Sequence, residues 1–223
     1  QTDEFIPTKY SAATISKKVE NKKALLQKFN LKFDENIPVI GIISRLADQK
    51  GFDLIGDIVN ELMSLDIQMV VLGTGEKKYH ELFQKIHNKY PEKFGVYLGF
   101  SESLAHLIEA GSDMFLMPSR YEPCGLNQIY SLKYGTVPIV RATGGLDDTI
   151  ENVDEKSGTG TGFKFNKYDS KELLKTIKKA IKVYQDKKIW TKIMKNGMSK
   201  DFSWSNSAKK YIALYKKLIK EKD

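Results

Sequence analysis

The chain has 223 residues, enough for one large domain or two small ones around a sizeable core. Its 41% hydrophobic and 29% charged content is ordinary for a soluble globular protein, and no apolar run approaches the roughly 20 residues of a membrane span. A single cysteine, Cys124, excludes an internal disulfide or an all-cysteine metal site and suits a reducing compartment, while a net charge of +8 raises nucleic acid as a partner without requiring it.

The chain opens on Gln1-Thr2-Asp3-Glu4, with neither an initiator Met nor a signal-peptide pattern, as expected of a piece of a longer chain. Residues 1–15 contain Pro7 and no helical period, and read as an extended lead-in. Ser16 is placed to cap a helix running to about Phe29, with Val19, Leu25, Leu26 and Phe29 as its apolar positions. Strands and helices then alternate. Pro38 to Ile43 is a short apolar run, the mark of a parallel strand covered on both faces. A helix from about Gly51 to Ser64 leads to a second strand, Gln68 to Leu72, which ends in Gly73-Thr74-Gly75. A helix from Glu76 to Asn88, a third strand Gly95 to Gly99 and a helix from Glu102 to Ala110 follow.

Met114 to Met117 is the fourth strand and Val137 to Val140 the fifth, with a helix opening at Gly125-Leu126 between them. Gly162 to Phe165 reads as an edge strand after the flexible Gly158–Gly162 loop. Residues 170–185, 187–199 and 204–221 read as closing helices. This alternation predicts an α/β fold with a doubly wound, mainly parallel, Rossmann-like sheet. Ligands bind such sheets beyond the carboxyl ends of the strands, near the switch point. The polar motifs lie at those ends: Ser44-Arg45, Gly73-Thr74-Gly75, Phe100-Ser101, and Ser119 to Leu126.

Lysines are scattered over polar helix faces among Glu and Asp, the pattern of a solvated surface. The three arginines, Arg45, Arg120 and Arg141, each stand at or beside a strand end, where a guanidinium is a good bidentate phosphate partner. Arg45 and Lys50 put two cations five residues apart on one loop leading into a helix. Glu122 fits a general base, a sugar clamp or an ion pair with Arg120, and spacing does not choose among them. The Cys124-Gly125-Leu126-Asn127 turn opens a helix whose free N–H groups favour an anion. Cys124 has no neighbouring base or His to mark it as a nucleophile and equally suits a small core position. Phe100 suits either stacking on a nucleobase or core packing. Gly73 permits close backbone approach, and an ordinary turn explains it almost as well. His80, His87 and His106 share no metal-ligand spacing, and Asp147 and Asp148 follow Gly144-Gly145 at a helix start where acidic residues favour the dipole. No metal site is expected.

Glu122-Pro123-Cys124-Gly125-Leu126, Tyr134-Gly135-Thr136 and Thr143-Gly144-Gly145-Leu146 occur in an order and spacing that resemble the bacterial glycogen synthase and plant starch synthase family. The likeness runs from Tyr10-Ser11 to Phe202–Ala208. It implies the C-terminal half of a GT-B glycosyltransferase: residues 1–223 as one nucleotide-sugar-binding domain, 203–221 as a C-terminal helix, and no N-terminal acceptor domain. The implied reaction moves glucose, with retention, from ADP-glucose to the nonreducing end of an α-1,4-glucan, without a cofactor or metal; isolated, this half is expected to be inactive. By the resemblance Arg45 and Lys50 clamp the leaving diphosphate, and Glu122 holds sugar hydroxyls. Cys124, Gly125, Leu126 and Asn127 cradle the donor, Phe100 stacks near adenine, and Gly73 lets the backbone approach. A wider superfamily has a second Glu eight residues after the first; Tyr130 stands there instead, which favours ADP-glucose over UDP-glucose. The implied setting is the bacterial cytoplasm, or the plastid for a plant protein. Nucleic acid and membrane are not expected partners; a nonenzymatic nucleotide- or glucan-binding module is the alternative. The apolar stripe Trp204, Ala208, Tyr211, Ile212, Tyr215 and Leu218 most often means core packing, but in the resembling family the last helix crosses back to the N-terminal domain.

Overall fold

The computed structural model describes residues 2–220. Six parallel strands form one sheet: β1 (Val39–Leu46), β2 (Gln68–Gly75), β3 (Phe94–Leu98), β4 (Met114–Met117), β5 (Val137–Arg141) and β6 (Phe163–Phe165). Their order is β3-β2-β1-β4-β5-β6. The chain therefore builds outward from β1 in one direction, then returns and builds outward from β4 in the other. Pairing runs Val39 with Gln68 on one side of β1 and Ile40 with Met114 on the other. β6 is the edge strand expected of 162–165, one residue shorter.

Alternation along each strand divides the core. Ile40, Ile42, Met69, Val71, Leu116 and Ile139 face one side and pack with the residues of α2 (Phe52–Asp57), α3 (Val59–Ser64), α4 (Lys77–Lys89), α8 (Ser170–Tyr184) and α9 (Lys187–Met198). Val39, Val70, Leu72, Phe115 and Val140 face the other side, with α1 (Lys18–Lys28), α5 (Glu102–Gly111), α6 (Asn127–Tyr134) and α7 (Gly144–Thr149). Both faces are dry, which is why these strands read as continuous apolar runs.

Several boundaries differ from expectation: β1 and β2 each run three residues further, to Leu46 and Gly75, so Arg45 stands on a strand and not on one loop with Lys50. The lead-in ends early: a 3₁₀ helix spans Ala12–Lys17 and runs into α1, so Ser16 lies inside the helical stretch. Its start is closed instead by Thr14, whose hydroxyl accepts from the Ser11 N–H at 3.0 Å. The helix expected over 51–64 is two pieces, α2 and α3, broken at Ile58 (φ −114°, ψ 12°), and a 3₁₀ turn Asp48–Lys50 precedes it. α10 spans Trp204–Lys220, and residue 221 of the expected helix lies outside the described residues. Its apolar stripe is not core: Trp204 is 89% exposed, Tyr211 59% and Leu218 51%. The Gly158–Gly162 loop is held by Asn196, whose amide donates to the carbonyls of Gly158 at 2.9 Å and Gly160 at 3.0 Å.

Candidate active site at the switch point of the sheet

β1 and β4 are neighbours whose connections leave in opposite directions, so a crevice opens beyond their carboxyl ends. A cleft of about 300 Å³ lies there, lined among others by Ser44, Arg45, Lys50, Ser119, Glu122 and Asn127. Gly125 and Leu126 also line it. Six of the nine residues singled out from the sequence thus meet in one cleft.

The cations and the carboxylate inside it are not equivalent. Lys50 Nζ lies 2.6 Å from Glu122 Oε2, with side-chain exposures of 20% and 10%. The Ser119 hydroxyl donates to the same oxygen at 3.4 Å. Glu122 therefore pairs with Lys50 and not with Arg120. Arg45 is exposed, and among the described residues its guanidinium has neither an ion-pair nor a hydrogen-bond partner. One cation is held in place by the carboxylate, and the other is open to an incoming anion.

The loop from Ser119 to Leu126 is pinned from behind. Arg141 at the end of β5 donates to the carbonyls of Ser119, at 3.3 Å, and Arg120. Gly145 N–H donates to the Glu122 carbonyl at 2.9 Å. A Cβ on Gly145 would stand 1.9 Å from the Cys124 carbonyl oxygen, and one on Gly144 2.3 Å from that of Glu122. The Thr-Gly-Gly-Leu motif is thus the seat on which the Glu-Pro-Cys turn rests, a role the sequence reading did not assign. Gln128, fully buried, donates to the carbonyls of Cys124 at 3.0 Å and Gly125 at 3.1 Å. Gly125 adopts φ +72°, open to glycine at little cost.

Among the described residues no acceptor takes the amide N–H of Cys124, Gly125, Leu126, Asn127 or Gln128. These donors at the start of α6 face the end of β1 because the Asn127 side chain is tied to it, donating to the Ile43 carbonyl at 2.7 Å. The Asn127 side chain is therefore a strut, and its contribution to an anion cradle is its backbone amide. Gly73 is glycine because a Cβ would stand 2.1 Å from the Ser44 carbonyl oxygen. Cys124 is an exposed free thiol on the turn.

Phe100 lies outside the cleft, 87% exposed, on an adjoining groove that shares Ile43 and Asn127 with it. Tyr130 and His106 line the same groove. His106 is engaged behind it, with Nδ1 at 2.9 Å from both Asp3 Oδ2 and the Tyr134 hydroxyl. Glu109 forms part of the groove wall and is otherwise buried. Burial pushes its carboxyl up to about 8, although the Ser131 hydroxyl bonds Oε2 at 2.7 Å; among the described residues Oε1 has no hydrogen-bond partner. The adjacent Lys18 ammonium, also buried, is pushed down to about 7 while donating to the Ala110 carbonyl and the Thr136 hydroxyl at 2.7 Å each.

Among the described residues no group of three or more His, Cys, Asp or Glu side chains stands together as a metal site, and no helix is long and apolar enough to cross a membrane. What the cleft offers is two cations, one carboxylate and a row of free amides beside an exposed aromatic ring. That combination fits an anionic group joined to a polyol at one end and a flat apolar ring at the other.

The chain is 54% identical over 217 residues to a glycogen synthase of Koribacter versatilis, covering 97% of this chain and 45% of that protein. It is 46% identical over 219 residues to a glycogen synthase of Bacillus cereus strain Q1, covering 98% and 46%. It thus spans less than half the length of these relatives. The catalytic domain of starch synthase IV from Arabidopsis thaliana, bound to ADP and acarbose, superposes with a TM-score of 0.88 at 33% identity, over 97% of this chain and 45% of that one. The C-terminal domain of a group 1 glycosyl transferase from Francisella tularensis shares the fold, with a TM-score of 0.57 at 19% identity over 87% of this chain and 92% of that one. The family model for glycosyl transferases group 1 matches residues 24–197. With that match running from within α1 to the end of α9 and through every strand, the chain belongs to the group 1 glycosyl transferase family.

Proposed function

We propose that this chain is the donor-nucleotide half of a glycogen or starch synthase that transfers glucose, with retention, from ADP-glucose to the nonreducing end of an α-1,4-glucan. The carrying observation is the cleft at the switch point, where Lys50 and Glu122 lie 2.6 Å apart beside the unpaired Arg45 and the free amides opening α6. In this reading Arg45, Lys50 and those amides take the diphosphate. Glu122 turns to the glucose hydroxyls, and Phe100 stacks on adenine. Gly73 and Gly125 let the backbone come close to the donor. As the glycosidic bond breaks, negative charge grows on the diphosphate, and fixed donors aimed at it stabilise the transition state by about 2.7–4 kcal/mol each.

The acceptor side belongs to a second domain. Support comes from two facts: the chain spans under half of its relatives' length, and the apolar stripe of α10 is exposed. That stripe then packs on the N-terminal half, as the crossing helix of the resembling enzymes does. The bacterial cytoplasm is the setting this reading carries, since both glycogen synthases named above are bacterial.

Calorimetry of the purified chain with ADP, a maltooligosaccharide and DNA is the test, together with a glucose-incorporation assay. ADP binding without glucan synthesis is expected. No binding of ADP, preferential binding of DNA, or glucose incorporation by this chain alone would overturn the reading.

A further inference from the structure

Tyr168 lies in the connection between β6 and α8, remote in sequence from both loops of the cleft. Its hydroxyl donates to Asp53 Oδ1 at 2.5 Å. The other oxygen of Asp53 accepts from Arg120 Nη2 at 2.7 Å. The Arg120 guanidinium carbon lies 4.3 Å from the centre of the Tyr168 ring, and that of Arg141 lies 5.6 Å from it. One phenol thus touches, directly or through one carboxylate, the residues that flank both halves of the cleft.

Asp53 is three residues beyond Lys50, and Arg120 is two residues before Glu122. Between them the two loops are already close. Arg120 N–H donates to the Gln49 carbonyl at 2.8 Å, and the Gln49 amide donates to the Tyr121 carbonyl at 3.2 Å. Gly51, at φ +74°, passes so near that a Cβ would stand 2.0 Å from the Pro118 carbonyl oxygen. Facing the cleft, the loops are joined by Lys50 and Glu122; facing away, they are joined by Asp53, Arg120 and Tyr168.

An exposed ion pair alone holds little. Arg120 and Asp53 are 50% and 37% exposed, a setting in which such pairs contribute about 0–1 kcal/mol. The ring changes this: it orients Asp53 by a hydrogen bond and Arg120 by its face, so that both partners are held in one geometry. Burial, followed by the bond to Asp53, pushes the Tyr168 hydroxyl above its ordinary range, so it stays a donor.

We infer that Tyr168 is a positioning residue that fixes the Lys50 loop against the Glu122 loop, acting through Asp53 and Arg120 without touching the substrate. This rests on the donor-site reading above. The test is ADP affinity by calorimetry, with thermal melting alongside, for wild type, Tyr168→Phe, Tyr168→Ala, Lys50→Ala and the Tyr168→Ala/Lys50→Ala double variant. Tyr168→Ala is expected to weaken ADP about tenfold, or about 1.4 kcal/mol. Tyr168→Phe keeps the ring and loses the Asp53 bond, so it is expected to weaken ADP about threefold and to remain folded even if the alanine variant does not. Because Tyr168 acts by aiming Lys50, its alanine penalty should shrink to under threefold once Lys50 is gone. A merely structural residue would lower the melting temperature and leave the two penalties multiplicative. Wild-type ADP affinity in both Tyr168 variants, or multiplicative penalties in the double variant, would overturn the inference while leaving the donor site standing. Failure of wild type itself to bind ADP would overturn the functional reading and this inference with it.

Discussion

The two ends of the candidate donor site are built on opposite principles. At the phosphate end Lys50 and Glu122 are largely buried and grip each other, and the loop that carries Glu122 is bonded to Arg141, Gly145 and Gln128. At the base end Phe100 is 87% exposed, and Tyr130 on the same groove is 49% exposed. Solvation explains the difference. A partly buried charge with no ligand must find an internal partner, whereas an apolar ring can wait in water at a modest cost. The polar end is therefore preorganised by the protein's own pairing. The apolar end gains its burial only when a ligand arrives.

The largest expected effects break the phosphate end. In the full-length enzyme Arg45→Ala and Lys50→Ala should each lower kcat about 10²–10³-fold, as for loss of one preorganised donor. Their stability should differ. Lys50→Ala leaves a largely buried carboxylate without its ion pair and should lower the melting temperature, while Arg45→Ala, which breaks no ion pair or hydrogen bond among the described residues, should not. Near-normal turnover in both would return them to the surface. Glu122→Ala should lower transfer about 10²-fold and leave the ADP Kd within about threefold, because it removes a sugar contact and frees Lys50 for the diphosphate. Glu122→Gln, which keeps a hydrogen-bonding group, should be milder. Steady-state kinetics beside ADP calorimetry separates these, and equal losses of rate and ADP affinity would count against the sugar role.

The comparison also marks where sequence reading stops. The sheet was legible because strands dry on both faces must be apolar throughout, and the polar motifs were legible because a parallel sheet gathers all carboxyl ends on one edge. The roles of Arg120 and Arg141 were not. Their strand-end positions suggested phosphate, yet one binds Asp53 and the other holds backbone carbonyls. The sequence places Asn127 in the cradle, and does not show that its side chain is in addition a strut to β1. Such roles depend on contacts between residues tens of positions apart, which no local period encodes. Gly145 carried a signal, since two consecutive glycines at a helix start ask what comes too close. α10 is the reverse case: its stripe has helical spacing, but spacing cannot say whether the covering surface lies in the same chain.

A smaller effect tests the wall of the base end. Glu109 has an ordinary carboxyl value of 4.5 when unfolded and is held near 8 by burial when folded. Between those values the folded state keeps a proton that the unfolded state has lost. The stability Glu109 contributes is therefore present below 4.5 and lost as pH rises through 8. Glu109→Gln has no such proton. Melting curves of wild type and variant from pH 5 to 9 should diverge, wild type losing stability relative to the variant as pH rises toward 8 and levelling off above it. Lys18, pushed down to about 7, is coupled to Glu109, so the difference between the two proteins reads the titration of the pair. Parallel curves would mean that Glu109 stays ionised in the folded protein.

The smallest effect sharpens the base end itself. Phe100 makes no ring contact within the described chain, so its removal should leave the melting temperature unchanged. Its whole contribution should appear on binding. Stacking of a base on an aromatic ring is worth about 1–3 kcal/mol by alanine substitution. At an open groove the lower end applies, so Phe100→Ala should weaken ADP about fivefold and Phe100→Tyr should bind as wild type does. Inorganic pyrophosphate, which has no base, should bind both proteins equally, whereas Lys50→Ala should weaken pyrophosphate and ADP alike. Calorimetry with the two ligands on the two variants thus assigns each end of the site separately. An equal loss of pyrophosphate and ADP affinity in Phe100→Ala would mean that the ring shapes the phosphate end, and would dissolve the division between a preorganised polar end and an apolar end completed by its ligand.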